Sequence, residues 1–178
     1  FHAGKWAGIF QFTEQGAQKF CVRAKPRNII DVSAVTSIYR PGPLSANVHD
    51  EYVDAKESPH HIKYLNDDSH EITQETFGFL IFQEQIALLA HKLGGLTLDE
   101  GNMLRKVLTK KGTGKGSVKG KLHDKFIAGC LKNNIVRDEA QSLWDKFEFF
   151  SGYGFNKSHA VSYSIISFQC AWLFNYYP

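Results

Sequence analysis

The sequence has few cysteines and a single methionine. Its three cysteines among 178 residues (Cys21, Cys130 and Cys170) are widely spaced and include no CxxC pair. This excludes a disulfide framework and favours a reducing, cytoplasmic setting. The only methionine is Met103, and no signal peptide is visible at the N-terminus. Because the sequence starts at Phe1 without an initiator, we expect it to be a segment of a longer polypeptide.

The sequence also lacks a pair of carboxylates in an apolar, strand-like context. Asp67 and Asp68 are adjacent, but they lie in a polar stretch. His60, His61 and His70 occur in the same stretch without the spacing of a zinc site. Two-metal nucleotidyl transfer needs converging acids that hold divalent cations. We therefore expect no metal site within these 178 residues.

The last stretch, from Ala160 to Pro178, lacks charged residues altogether. Its length would suit a membrane span, but its polar side chains argue against one. These are Ser162, Ser164, Ser167, Gln169 and Asn175. We predict a buried core helix and no membrane association.

Apolar residues recur at helical spacing along most of the chain. One helix is predicted between Thr13 and Pro26, and a second begins at Asp31 and ends at residues 40–43, where two prolines interrupt it. The polar residues 54–76 are predicted to form a loop or insertion. Further helices are predicted to begin near residues 82, 98, 122, 138 and 160. The expected fold is mainly α, with at most short strands near the N-terminus.

Charge is unevenly distributed, although the net charge is only +3. Residues 50–75 hold eight acids and two bases, whereas residues 105–125 hold eight bases and one acid. The second window includes Lys110, Lys111 and a glycine- and lysine-rich stretch at 112–121, predicted to be a flexible loop. It fits either a polyanion-binding surface or a solvated lysine-rich loop. A P-loop is excluded because the spacing of its glycines and lysine is wrong.

A compact motif with two glycines occupies residues 151–159. Apolar periodicity resumes at Ala160, which places Asn156 and Ser158 at a helix start. A helix N-terminus offers unpaired backbone donors and a partial positive charge, so Lys157 and His159 could complete a phosphate site there. A tight turn with a solvated lysine is an equally good interpretation.

Three further bases stand out by their positions. Arg105 and Lys106 are adjacent on a predicted helix that leads into the basic window. Arginine can grip phosphate with its planar fork, whereas lysine acts as a point charge, although both residues could simply face solvent. Arg40 precedes Pro41 on a rigid turn, which suits either a positioned guanidinium or a structural ion pair.

Taken together, these motifs resemble the alpha subunit of bacterial DNA polymerase III, the C family of replicative DNA polymerases. The matching segments follow the order of the family over nearly the whole chain. They lie at residues 8–12, 38–43, 77–85, 103–106 with 110–111, and 151–160.

The resemblance implies that residues 1–178 form the mostly helical fingers domain of a DNA-directed DNA polymerase. The palm, with the catalytic aspartates and their Mg²⁺, would lie upstream, so the fragment alone is expected to be inactive. Implied ligands are deoxynucleoside triphosphates (dNTPs) and template–primer DNA. The sliding clamp and other replisome subunits would bind through other regions. The alternative is a non-catalytic helical nucleic-acid-binding module derived from a polymerase.

The resemblance also implies roles for individual bases. Arg105, Lys106, Lys157 and His159 match family positions that contact the triphosphate or the DNA backbone. Supporting roles are assigned to Arg40, Lys110, Lys111, Asn156 and Ser158. Lys106 departs from the family, which usually carries a second arginine there and so has a second planar fork.

Overall fold

The computed structural model describes residues 1–108 and 117–177 and is mainly α-helical over these ranges, as predicted. No β-strand occurs in the described residues, and two short 3-10 turns lie at Pro59–His61 and Gln74–Thr76. The helices are α1 (Gln15–Ala24), α2 (Ile29–Ile38), α3 (Pro41–Ser45), α4 (Val48–Glu57), α5 (Asp67–Thr73), α6 (Gln83–Lys92), α7 (Leu98–Leu108), α8 (Val118–Lys132), α9 (Arg137–Ser151) and α10 (Lys157–Tyr176).

The polar region from 54 to 76 is not the predicted loop. Helix α4 extends through its first residues, and α5 lies near its end. Asn66 caps α5: its Oδ1 accepts a hydrogen bond from the Ser69 backbone N at 2.9 Å, and the Asn66 backbone N donates to Ser69 Oγ at 3.0 Å. The polar cluster that suggested a loop is therefore a helix-capping box.

The start of α2 also differs from the prediction. Asn28 is the cap, and its Oδ1 accepts from the Asp31 backbone N at 2.8 Å. Asp31 instead accepts from the Arg27 backbone N at 2.8 Å and pairs with Lys56 at 2.6 Å. Lys56 Nζ also donates to the Lys25 carbonyl at 3.1 Å. A buried charge needs such partners, so these contacts tie α4 to the start of α2.

The predicted loop at 112–121 is partly helical. Ser117 caps α8, and its Oγ accepts from the Gly120 backbone N at 3.1 Å. Residues 118–121 are thus the first turn of a helix, although lysines and glycines had suggested flexibility. Residues 109–116 lie outside the described residues.

The chain divides into two compact units. The first comprises Phe1–Ile62, Glu75–Phe77 and Phe155–Pro178, and the second comprises Lys63–Gln74 and Gly78–Gly154.

In the first unit α10 packs against α2, with Ala160, Ser164 and Ser167 on its buried face. Its other faces expose apolar side chains, so α10 is not the fully buried helix that was predicted. None of the described helices combines the length and apolar character needed to cross a membrane.

The core of the second unit lies among α6, α7, α8 and α9. Phe126, Trp144 and Phe147 are buried there together with leucines of α6 and α7. Two glycines allow α8 to approach the end of α6: a Cβ on Gly129 would lie 1.8 Å from the carbonyl oxygen of Gly94. Backbone contact this close excludes any larger residue unless the helices separate.

Two cysteines are buried thiols. Burial raises the pKa of Cys21 to about 12 and the pKa of Cys130 to about 11. Both groups are therefore protonated at neutral pH and unreactive.

Candidate functional site

The motif at 151–159 forms the N-terminus of α10, as predicted. Asn156 is the cap, and its Oδ1 accepts from the His159 backbone N at 2.9 Å. The Ser158 hydroxyl donates to the same oxygen at 2.6 Å. The Asn156 and Ser158 side chains are thus engaged in ordering the first turn of the helix.

Lys157, the first residue of α10, forms an ion pair with Glu75 of the 3-10 turn Gln74–Thr76. Both side chains are about one-third exposed, at 34% and 32%. Lys157 is therefore not a freely solvated lysine. Its side chain starts from the first turn of α10, where the helix dipole favours negative charge.

The ring of His159 lies in a row of aromatic side chains. Its centroid is 5.4 Å from that of Phe155 and 4.2 Å from that of Tyr163. Tyr163 in turn lies 5.3 Å from Phe10. We call Phe155, His159, Tyr163 and Phe10 the aromatic row. His159 is exposed, and all four residues belong to the first unit.

Arg40 lies against one end of the aromatic row. Its guanidinium carbon is 4.6 Å from the centre of the Phe155 ring, and its Nε donates to the Ser37 carbonyl at 2.8 Å. Burial lowers the pKa of Arg40 from its ordinary value, but arginine stays charged in proteins. The rigid turn predicted at Pro41 is instead the start of α3, and Arg40, the N-cap residue of this helix, holds its cation against an aromatic face.

A cleft of about 580 Å³ opens beside Arg40 in the first unit. This volume falls within the range of small-molecule sites. Its lining combines aromatic, aliphatic and charged side chains: Phe10, Gln11, Thr13, Glu14, Ala17, Tyr39, Arg40, Pro41 and Leu44. Phe10 and Tyr39 were missed as site residues from the sequence, although both lie within motifs that carried the family resemblance.

The other predicted bases belong to the second unit. Arg105 and Lys106 lie in the last turn of α7, where the helix dipole favours cations. Arg105 Nη1 is 3.9 Å from Glu84 Oε1, at the outer limit of an ion pair, and Lys106 is exposed. Lys110 and Lys111 lie outside the described residues.

The basic window is partly neutralised by acids of neighbouring helices. Lys125 hydrogen-bonds to Glu100, which lowers the pKa of that carboxyl. Lys119 lies 3.0 Å from Glu148. Burial raises the pKa of Glu148, but hydrogen bonds from Lys119 and Trp144 outweigh that effect, and the pKa falls below its ordinary value. The window therefore offers less unpaired positive charge than its composition indicates.

Five of the predicted residues are thus gathered around the start of α10: Arg40, Asn156, Lys157, Ser158 and His159. Arg105 and Lys106 lie at the end of α7 in the second unit. Within residues 1–108 and 117–177, no group of three or more His, Cys, Asp or Glu side chains could hold a metal ion.

Comparison with known proteins gives a consistent result. The profile of the family described as "Bacterial DNA polymerase III alpha subunit finger domain" matches residues 1–134. The DNA polymerase III subunit alpha of Campylobacter jejuni is 36% identical over 176 residues, which cover 99% of this chain and 14% of that protein. The Bacillus subtilis subunit is 36% identical over 175 residues, covering 98% of this chain and 15% of that protein. The chain therefore spans about one-seventh of the length of these relatives.

Proposed function

Because the chain belongs to the finger-domain family of bacterial DNA polymerase III alpha subunits, we propose that residues 1–178 are the fingers domain of a replicative DNA polymerase. In this proposal the chain binds the incoming dNTP and template–primer DNA and positions them for nucleotidyl transfer. It acts by orientation and charge neutralisation rather than by supplying the reacting groups.

The observation that carries the proposal is the arrangement around the start of α10. Lys157 places an ammonium group at a helix N-terminus, a combination suited to phosphate. Arg40 and the aromatic row offer a guanidinium group and exposed ring surface in the same unit. Phosphate and nucleobase are the two chemical parts of a nucleotide, and charges with aromatic rings recognise both.

Arg105 and Lys106 are proposed to bind phosphates of the triphosphate or the DNA backbone. Arg105 can offer a planar fork, whereas Lys106 offers only a point charge. Lys110 and Lys111 are proposed to extend this basic surface. Asn156 and Ser158 support the site by capping α10, which orients Lys157 and His159.

The chemistry itself is proposed to reside in the remainder of the longer polypeptide. Palm aspartates there would hold Mg²⁺, the ion that supports phosphoryl chemistry in such enzymes. The sliding clamp and other replisome subunits would likewise bind through other regions. A replicative polymerase of this kind would act in the bacterial cytoplasm.

Lys157→Ala in the full-length polymerase tests this function. Because a charge-assisted hydrogen bond contributes about 1.5–3 kcal/mol, we expect the dissociation constant for dNTP to rise at least about tenfold. The measurement is the dNTP dependence of single-turnover incorporation. Lys19→Ala, at an exposed lysine of α1, is the matched control. An unchanged dissociation constant would remove Lys157 from the site.

A further inference from the structure

The ion pair between Lys157 and Glu75 joins two parts of the first unit that are distant in the sequence. Glu75 lies in the middle of the 3-10 turn, and its Oε1 contacts Lys157 Nζ directly. Glu75 thus places a carboxylate where the proposed site would receive a phosphate oxygen.

The turn that carries Glu75 is anchored by the residues that follow it. Thr76, the next residue, is fully buried. Phe77 has a left-handed backbone with φ of 54° and packs edge-on against Tyr52, with ring centroids 5.6 Å apart. Lys56 Nζ also lies 5.8 Å from the centre of the Phe77 ring. The backbone beside Glu75 is therefore held in place by packing.

We propose that Glu75 tunes the affinity of the site by occupying the Lys157 ammonium group, an inference that rests on the proposed function. An ammonium group has three donors, so Lys157 can retain Glu75 while it donates to a phosphate oxygen. The carboxylate nevertheless takes up part of the donor capacity of the ammonium group, so Lys157 binds the phosphate less strongly than it would without Glu75.

Glu75→Gln in the full-length polymerase tests this role, with inorganic tripolyphosphate and dATP as separate probes. Glutamine keeps the size of the side chain and removes its charge. For a partly exposed pair we expect the dissociation constant of each probe to fall about three- to fivefold at low salt. The gain should shrink as salt screens the charges. Glu75→Asp, which keeps the charge, should bind close to the unchanged protein.

Two further variants distinguish an effect of Glu75 on Lys157 from the effect of removing any negative charge from the protein. Glu51→Gln removes the same charge from an exposed position of α4 and should leave both dissociation constants unchanged. In a Lys157→Gln background, Glu75→Gln should no longer tighten binding. A gain that persists in that background, or equals the gain from Glu51→Gln, would overturn the proposal.

The remaining outcomes are also decisive. If Glu75→Gln binds the probes equally or more weakly, whether or not its thermal midpoint falls, Glu75 serves structure alone and the proposal is wrong. If Lys157→Gln leaves both dissociation constants unchanged, the proposed function of Lys157 fails independently of Glu75. If Lys157→Gln weakens binding but Glu75→Gln gives no gain, only the role of Glu75 is rejected.

Discussion

Arg40 makes two contacts that a lysine could not reproduce. Its Nε donates to the Ser37 carbonyl, and its guanidinium carbon lies 4.6 Å from the centre of the Phe155 ring. A planar, delocalised cation stacks on an aromatic face more effectively than an ammonium group and has an additional fixed donor. The side chain is therefore ordered before any ligand arrives, which reduces the entropy lost on binding.

Arg40→Lys in the full-length polymerase should weaken dNTP binding while conserving charge. A lysine that is not held by these contacts has to be ordered on binding at a cost of about 1 kcal/mol, which corresponds to an increase of about fivefold in the dissociation constant for dNTP. Single-turnover incorporation at varied dNTP concentration measures this effect. Arg23→Lys is the control, because Arg23 pairs with Asp50 on the surface of the same unit. Equal dissociation constants for the two variants would exclude Arg40 from nucleotide binding.

The close approach of α8 to the segment that follows α6 depends on the absence of a side chain at Gly129. Gly129→Ala would place a Cβ 1.8 Å from the Gly94 carbonyl oxygen, and this contact is with backbone that cannot rotate away. Overpacking of this kind costs about 1–3 kcal/mol, more than the gain of up to about 1 kcal/mol in helix propensity. Denaturant titration should show a lower free energy of unfolding.

Gly152→Ala provides the matched control for this substitution, since a Cβ at Gly152 has no neighbour within 4 Å. Its free energy of unfolding should change by less than about 0.5 kcal/mol. A comparable loss of stability at both positions would show that the close approach of α6 and α8 does not limit the packing of the second unit.

The contact between α8 and α9 should depend on pH through Glu148. The pKa of Glu148 is lowered in the folded protein below its ordinary value of 4.5, so the ionised carboxyl stabilises the fold above that pH. This contribution is lost as pH falls below 4.5 through the lower folded-state pKa. Lys119→Met should therefore cost about 0.5 kcal/mol at pH 7, and less at pH 3. A cost that is equal at both pH values, measured by denaturant titration, would contradict the role of this ion pair.

The sequence predicts the positions of the helices better than it predicts the side-chain contacts between residues that are far apart in the chain. The period of apolar residues and the Thr97–Glu100 capping box correctly indicated α6 and α7, because these signals are local. Helix α5 was missed because the same polar residues serve both loops and caps. The pairs Lys157–Glu75 and Arg40–Phe155 join residues far apart in the sequence, and neither partner carries a local signal. The comparisons confirm the family that the motifs indicated, whereas the binding roles that the resemblance implies for Arg105, Lys106, Lys157 and His159 stay predictions.

At the scale of the whole molecule, charge should determine how DNA binding responds to salt. The net charge of the chain is only +3, and two lysines of the basic window, Lys119 and Lys125, are paired with acids. Attraction to DNA should therefore depend on a few positioned cations. Each phosphate contact contributes about 0.7–0.9 to the slope of log K against log salt concentration. Removal of a single contacting cation is then measurable as a change in this slope.

Lys106→Ala in the full-length polymerase should weaken primer–template binding and reduce the salt slope by about 0.7–0.9. Binding of a fluorescent primer–template across salt concentrations, without dNTP, measures both quantities. Lys146→Ala, at an exposed lysine of α9 in the same unit, should leave the slope unchanged. A lower affinity with an unchanged slope would mean that Lys106 acts through the fold of α7 rather than through phosphate. An unchanged affinity and slope would restrict the proposed DNA contacts in the second unit to Arg105 and residues outside the described ranges.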